Sequence, residues 1–164
     1  ITDITQKNEK AIVFTTFNPN STWLSKQLRP FGALCLNGSM PMAHRNDVVN
    51  WFLSNPDDRV LVATTGAAKE GLTLTVANHV IFYDRTYSLD DYLQAQDRIH
   101  RVSQQKTCYV YTLIMRDSVD EWVEALIQQK HLAAQLTQGD IDGKTYSEKA
   151  DFNFVDILRS ILSN

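Results

Sequence analysis

Residues 60–63 read VLVA, four consecutive apolar residues, and AIVF at 11–14 and HVIFY at 79–83 share that texture. Runs that are apolar at nearly every position, rather than at alternate ones, suit strands buried on both faces of a parallel sheet. ALCL at 33–36 is a weaker run, and the stretch from Cys108 to Met115 is longer and partly alternating. Helix-like segments lie between them: Ser21 to Leu28, Pro41 to Leu53, Ser88 to Val102, and Val119 to Leu136. Strand and helix in alternation predict an α/β domain, an open parallel sheet flanked by helices with right-handed crossovers. Ligands of such sheets bind beyond the carboxyl ends of the strands, which directs attention to segments 15–20, 36–40, 64–71 and 84–88.

A chain of 164 residues, 43% of them apolar, is the size of one domain and can bury a core without disulfides or metal. Its 16 basic and 19 acidic residues exclude a stand-alone basic nucleic-acid module but leave room for a local patch. Cys35 and Cys108 are far apart, with no ligand spacing around either, so both are expected to be reduced core thiols and no metal site is expected. No run approaches the ~18 apolar residues of a membrane span, and the N-terminus has no signal-peptide core. A non-secreted, membrane-free, monomeric protein of the cytoplasm, or of the nucleus in a eukaryote, is the expectation. The first residue is Ile rather than Met, so the chain is read as part of a longer protein.

Residues 138–144 are polar and contain two glycines, and Phe152, Val155, Leu158, Ile161 and Leu162 then repeat at helical spacing. The organisation expected is therefore a domain at 1–138 followed by a loop and amphipathic helix at 139–164, packed on it or elsewhere. Trp51 and Trp122 lie on apolar helix faces and are expected in the core. His44, His79 and His131 form no ligand cluster.

Ser88 is a good N-cap for the segment that follows, with Asp90 and Asp91 placed to favour a helix N-terminus. On a continuous helix Gln94, Arg98 and Arg101 fall within about 60° of one another, opposite Tyr92, Ala95, Ile99 and Val102. Spacing alone leaves two readings open. One is a solvated cluster in which the arginines pair with Asp97 and Asp90 or Asp91, worth at most ~1 kcal/mol. The other is a guanidinium pair aimed at a polyphosphate.

QAQDRIHRVSQ at 94–104 resembles motif VI of the Snf-type ATPases among the superfamily-two helicases, whose usual form is QAxDRxHRxGQ. LNGS at 36–39 resembles that family's LDGS segment, and 10–17 resembles its motif IV, KVLIFSQF. VATT at 62–65 through GLTLT at 71–75, followed by VIFYD at 80–84, resembles motif V and its strand. The agreement runs in order from about Lys10 to Gly139. Residues 66–70 depart from the common STRAGGLG pattern and Ser103 replaces the usual glycine, which points to a divergent branch nearer the annealing-type members.

The resemblance implies the second RecA-like lobe of an ATP-dependent DNA helicase or translocase. ATP with Mg²⁺ would then lie between this lobe and an N-terminal RecA-like lobe of the same polypeptide, which holds the phosphate loop and the acidic metal-binding pair. This chain has no GxxxxGK[ST] and no DE-x-H run, so alone it is expected to be inactive. By the family pattern Arg101 is the arginine finger, with Arg98 beside it and Gln94 assisting, while Gly71, Leu72 and Thr73 face nucleotide. Thr15, Thr16, Gly38, Ser39, Thr64 and Thr65 are the implied DNA contacts, since backbone amides and small hydroxyls bind phosphates without needing a basic chain. The parent would unwind DNA, migrate branches or translocate. The rival reading is a non-catalytic remnant that keeps the fold and binds nucleic acid or protein. A dinucleotide-binding enzyme is disfavoured because no GxGxxG follows the first strand.

Overall fold

The structure is a computed structural model and describes residues 1–69, 74–84, 88–99 and 103–150. The elements run α1 (Thr2–Gln6), β1 (Ala11–Thr15), α2 (Asn18–Gln27), β2 (Ala33–Leu36), α3 (Met42–Ser54), β3 (Val60–Thr64), β4 (His79–Phe82), α4 (Leu89–Gln96), β5 (Tyr109–Thr112), α5 (Val119–Gln138) and α6 (Gly143–Lys149). Short 3₁₀ turns sit at Arg29–Phe31 and Ala67–Lys69. The five strands form one parallel sheet in the order β2-β3-β1-β4-β5. This is the α/β, RecA-like arrangement that the apolar runs and the family resemblance predict.

β1 and β3 are buried at every position, as continuous apolar runs require. The sheet's two faces make separate cores. Ile12, Phe14, Leu61, Ala63, Val80 and Phe82 point to one side, where Val48, Val49 and Phe52 of α3 and Ala95 beside Ile99 cover them. Val13, Val60 and Val62 point to the other, against Leu24 of α2. The stacked pair Phe14 and Phe82, with centroids 5.8 Å apart, joins β1 to β4 inside the first core.

Local signals account for most helix boundaries. Pro19 sits in the first turn of α2, where its missing N–H costs nothing, and Pro41 is the N-cap of α3. The far end of α3 is held by Lys10, whose ammonium donates to the Phe52 carbonyl and, at 2.7 Å, to that of Asn55 while lying over the Phe52 ring. That cation occupies the negative end of the helix dipole. Ser118 caps α5 by accepting from the Asp120 amide at 3.1 Å, and Gly139 ends it in the left-handed conformation at φ 82°.

Three expectations are corrected. The helix expected over 88–102 spans only Leu89–Gln96 and is followed by a turn at 97–99. The Arg98 amide bonds three residues back, to Ala95, and the Arg98 carbonyl accepts from the Leu74 amide at 3.1 Å, so a tertiary bond competes with another helical turn. Trp51 is 50% exposed rather than core, because α3 buries the arc of Val48, Val49 and Phe52 and leaves Trp51 edge-on to His44. The strand expected over 108–115 is confined to Tyr109–Thr112. Cys35 and Cys108 are free thiols, both half-buried, and burial pushes the Cys108 thiol up.

The chain separates into two compact units, one of 1–85 with 90–113, the other of 86–89 with residues from 114 onward. The first contains the whole sheet. In the second, α5 packs with α6, a helix that lies partly in the segment read as a polar loop. The amphipathic helix expected over 152–162 lies outside the described residues.

At the amino ends of the strands, His79 Nε2 lies 2.8 Å from Glu9 Oε2 and its Nδ1 lies 3.2 Å from the Tyr111 hydroxyl. Asn78 donates to the other Glu9 oxygen at 2.9 Å. The His79 and Asn78 hydrogen bonds hold the Glu9 carboxyl below its ordinary value of 4.5. A lowered folded-state value means that Glu9 stabilises the fold above its unfolded-state value, and that this is lost as pH falls through the folded one. Thermal melts of this chain should therefore decline below about pH 4.5, and Glu9→Gln should flatten that decline. An identical acid limb in the variant would show that other carboxylates carry it.

Gly32 precedes β2 at φ 70°, and a Cβ there would lie 1.8 Å from the Asp57 carbonyl oxygen. Backbone, not a flexible side chain, blocks the space. Gly32→Ala should cost about 2 kcal/mol or more, read as a lowered denaturation midpoint. An unchanged midpoint would contradict the close approach.

Candidate nucleotide and nucleic-acid face

Parallel pairing brings the carboxyl ends of β1, β3 and β4 to one rim: Thr15 pairs with Thr64, and Phe14 with Phe82. The residues after those ends are what the topology offers to a ligand.

Thr15 is fully buried and its hydroxyl donates to Asp84 Oδ2 at 2.5 Å. Its carbonyl accepts from the Thr65 amide at 3.2 Å, which ties the β1 end to the β3 end. The Thr16 amide donates to Asp84 Oδ1 at 2.6 Å and the Asn20 side chain to Oδ2 at 3.1 Å. Thr64 is 4% exposed. Thr15 and Thr64 therefore sit inside the rim, while Thr16 and Thr65 are half-buried, with the Thr16 hydroxyl itself buried.

After β2, Asn37 is buried and organises the LNGS segment. Its Nδ2 donates to the Ser21 hydroxyl at 3.2 Å, and its Oδ1 accepts from the Ser39 amide at 3.2 Å and the Ser39 hydroxyl at 2.7 Å. Arg45 closes the turn from α3, donating to the carbonyls of Met40 at 2.9 Å and Gly38 at 2.8 Å. Gly38 and Ser39 are exposed on this rigid turn. Positive φ among the described glycines is confined to Gly32 and Gly139, so Gly38 is not there for a left-handed conformation.

Gln94 and Arg98 line one small cleft with Phe14, Thr65, Ala68 and Asp91. Two of the motif VI residues thus meet the end of β3. Gln94 is exposed, whereas Arg98, past the end of α4, is only 8% exposed and does not share a solvent-facing helical surface with it. Arg98 makes interactions within the chain. Arg101 and the residues expected to face nucleotide, Gly71, Leu72 and Thr73, lie outside the described residues.

A guanidinium and an amide in one cleft are donors suited to phosphate oxygens. Among the described residues no group of three His, Cys, Asp or Glu side chains could hold a metal ion.

Two residues whose roles were not read from the sequence emerge as organisers. Asp84 gathers the three donors above. Gln104 reaches with one amide nitrogen toward the carbonyls of Thr75 at 3.1 Å, Ala77 at 3.0 Å and Ile99 at 3.2 Å, joining the approach to β4 to the turn after α4. Gln104 stands in the motif VI match, but the motif shows only its identity. No local pattern marks either partnership.

The sheet order and the rim define a second RecA-like lobe of the Snf type. Residues 1–103 match the family described as the helicase conserved C-terminal domain, and the chain belongs to that family. It is 38% identical over 125 residues to the ATP-dependent helicase ULS1 of Saccharomyces cerevisiae, covering 74% of this chain and 8% of that protein. It is 34% identical over 109 residues to the DNA annealing helicase and endonuclease ZRANB3 of Mus musculus, covering 66% and 10%. The crystal structure of the C-terminal part of the Fun30 ATPase domain superposes with a TM-score of 0.71 at 32% identity, covering 76% of this chain and 41% of that one. The chain thus spans a tenth or less of the length of these two curated relatives.

Proposed function

We propose that this chain is the motor lobe that completes an ATP site from the far side, supplying an arginine finger and part of the DNA-binding surface of an ATP-dependent DNA helicase or translocase. The observation that carries the reading is the cleft in which Gln94 and Arg98 meet Thr65 at the carboxyl rim. Arg101 is the finger, and Gly71, Leu72 and Thr73 approach the nucleotide. Thr16, Gly38, Ser39 and Thr65 face DNA, and Thr15 and Thr64 support them from within the rim. The N-terminal RecA-like lobe of the same polypeptide is the partner that brings ATP, and with it Mg²⁺, to the cleft.

The division of labour follows from the chemistry of phosphoryl transfer. Positioning and charge stabilisation dominate that reaction, and an arginine finger contributes about 10³ to 10⁵ in rate. A finger on one lobe and a phosphate loop on the other permit hydrolysis only when the lobes close, which couples the chemical step to movement along DNA. Names of relatives such as ATP-dependent helicase ULS1 and DNA annealing helicase ZRANB3 support an ATP-driven parent acting on DNA. We place that parent in the nucleus or cytoplasm, acting as a monomer, with unwinding, branch migration or translocation as its output. Among the described residues no helix is long and apolar enough to cross a membrane.

The burial of Arg98 favours a second role for that one residue, as a scaffold for the turn at 97–99, which precedes Arg101 in sequence. In the full-length protein, Arg101→Ala should reduce DNA-stimulated ATP hydrolysis by at least about a hundredfold and leave ATP affinity within about threefold. Near-normal turnover would remove Arg101 as the finger, whereas a wild-type protein that hydrolyses no ATP would favour the non-catalytic remnant.

A further inference from the structure

We propose that Asp84 is a positioning residue that sets the DNA-facing conformation of segment 16–20. This rests on the reading above, in which the carboxyl rim faces DNA.

The Asp84 carboxylate sits just past β4 and accepts from the Thr15 hydroxyl at 2.5 Å, the Thr16 amide at 2.6 Å and the Asn20 side-chain amide at 3.1 Å. All three donors belong to the connection between β1 and α2, from 64 to 69 residues away in sequence. They bracket that connection: Thr15 ends the strand and Asn20 lies in the first turn of the helix. An ionised carboxylate only accepts, and bonds to a charged acceptor are the stronger kind, so both ends of the connection and the Thr16 peptide are held in one orientation.

Between the held points the chain turns Phe17 outward and keeps the Thr16 hydroxyl buried. Phe17 is 58% exposed, and Thr16 is half-buried beside it. Asp84 does not itself bind a phosphate, since a carboxylate there would repel one. It acts through the segment it fixes. It also stands in sequence between β4 and α4, the helix that carries Gln94 into the cleft. One side chain therefore ties the DNA-facing connection to the strand that leads to the nucleotide side.

The test is a DNA titration of ATP hydrolysis by the full-length protein, comparing wild type with Asp84→Ala, Asp84→Asn and Asn20→Ala, with hydrogen exchange at the Thr16 amide read in parallel. Asp84→Ala should raise the half-saturating DNA concentration at least about tenfold and release the Thr16 amide to exchange, with KM for ATP within about twofold. Asp84→Asn keeps a carbonyl for the Thr16 amide and should recover to within about threefold of wild type. An unchanged half-saturating concentration in Asp84→Ala would overturn the proposal. So would equal losses of maximal rate in both Asp84 variants at unchanged half-saturation, which is the mark of a merely structural residue. Should Asp84→Ala fail to fold, Asn20→Ala carries the test, with a rise of about threefold expected and no change overturning it. A wild-type protein without DNA stimulation would instead refute the reading of the rim, and Thr16 exchange would still decide whether Asp84 holds the segment.

Discussion

β1 is the strand on which the rest of the molecule depends. It is hydrogen-bonded on both sides, to β3 and to β4, and every residue in it is buried. A parallel strand buried on both faces leaves its chain direction no freedom, so its neighbours must deliver their carboxyl ends to the same rim. Thr15, Thr64 and Phe82 end their strands there, and the residues that follow are brought together before any specific contact is made. The two cores then fix the helices: α3 and the α4 region against Phe14 and Phe82, α2 against Val13 and Val62.

On that frame the rim is stitched by polar groups rather than by further packing. Asp84 gathers the β1 connection, Asn37 with Arg45 closes the turn after β2, and Gln104 joins the approach to β4 with the turn after α4. Each organiser consumes donors or acceptors that would otherwise be unsatisfied beside the core, where leaving one unmade costs about 1–3 kcal/mol. The same bonds leave Gly38 and Ser39 exposed, with Thr16 and Thr65 half-exposed, on stiff supports. Stiffness there suits the proposed role, in which the lobe would register against DNA and against a second lobe in a single closed geometry.

The fold was legible wherever burial was complete. VLVA and AIVF read as two-sided strands because every residue in them meets a core, and the register bears this out. Tyr109 and Tyr111, on the edge strand, are 46% and 41% exposed, and a half-exposed edge gives a pattern too weak to place its ends. The end of α4 was not legible, because a carbonyl claimed by Leu74 terminates it and no local breaker does. For the candidate site, the sequence named residues and not their geometry. Motif VI pointed to Gln94 and Arg98, which do line one cleft, but the helical-face construction that grouped them with Arg101 assumed a helix that stops at Gln96. The motif V match included Asp84, but its holding role was not legible, since its partners are remote in sequence.

The central claim is that this lobe stabilises a transferring phosphoryl group held by another lobe. Binding of ADP with aluminium fluoride, compared with ADP alone, reads that stabilisation directly, because a transition-state mimic reports contacts that the ground state lacks. In the full-length protein with DNA, wild type should bind the mimic at least about a hundredfold more tightly than ADP, and Arg101→Ala should lose most of that preference while holding ADP as well as before. A variant that keeps the full preference would contradict an arginine contributed by this lobe.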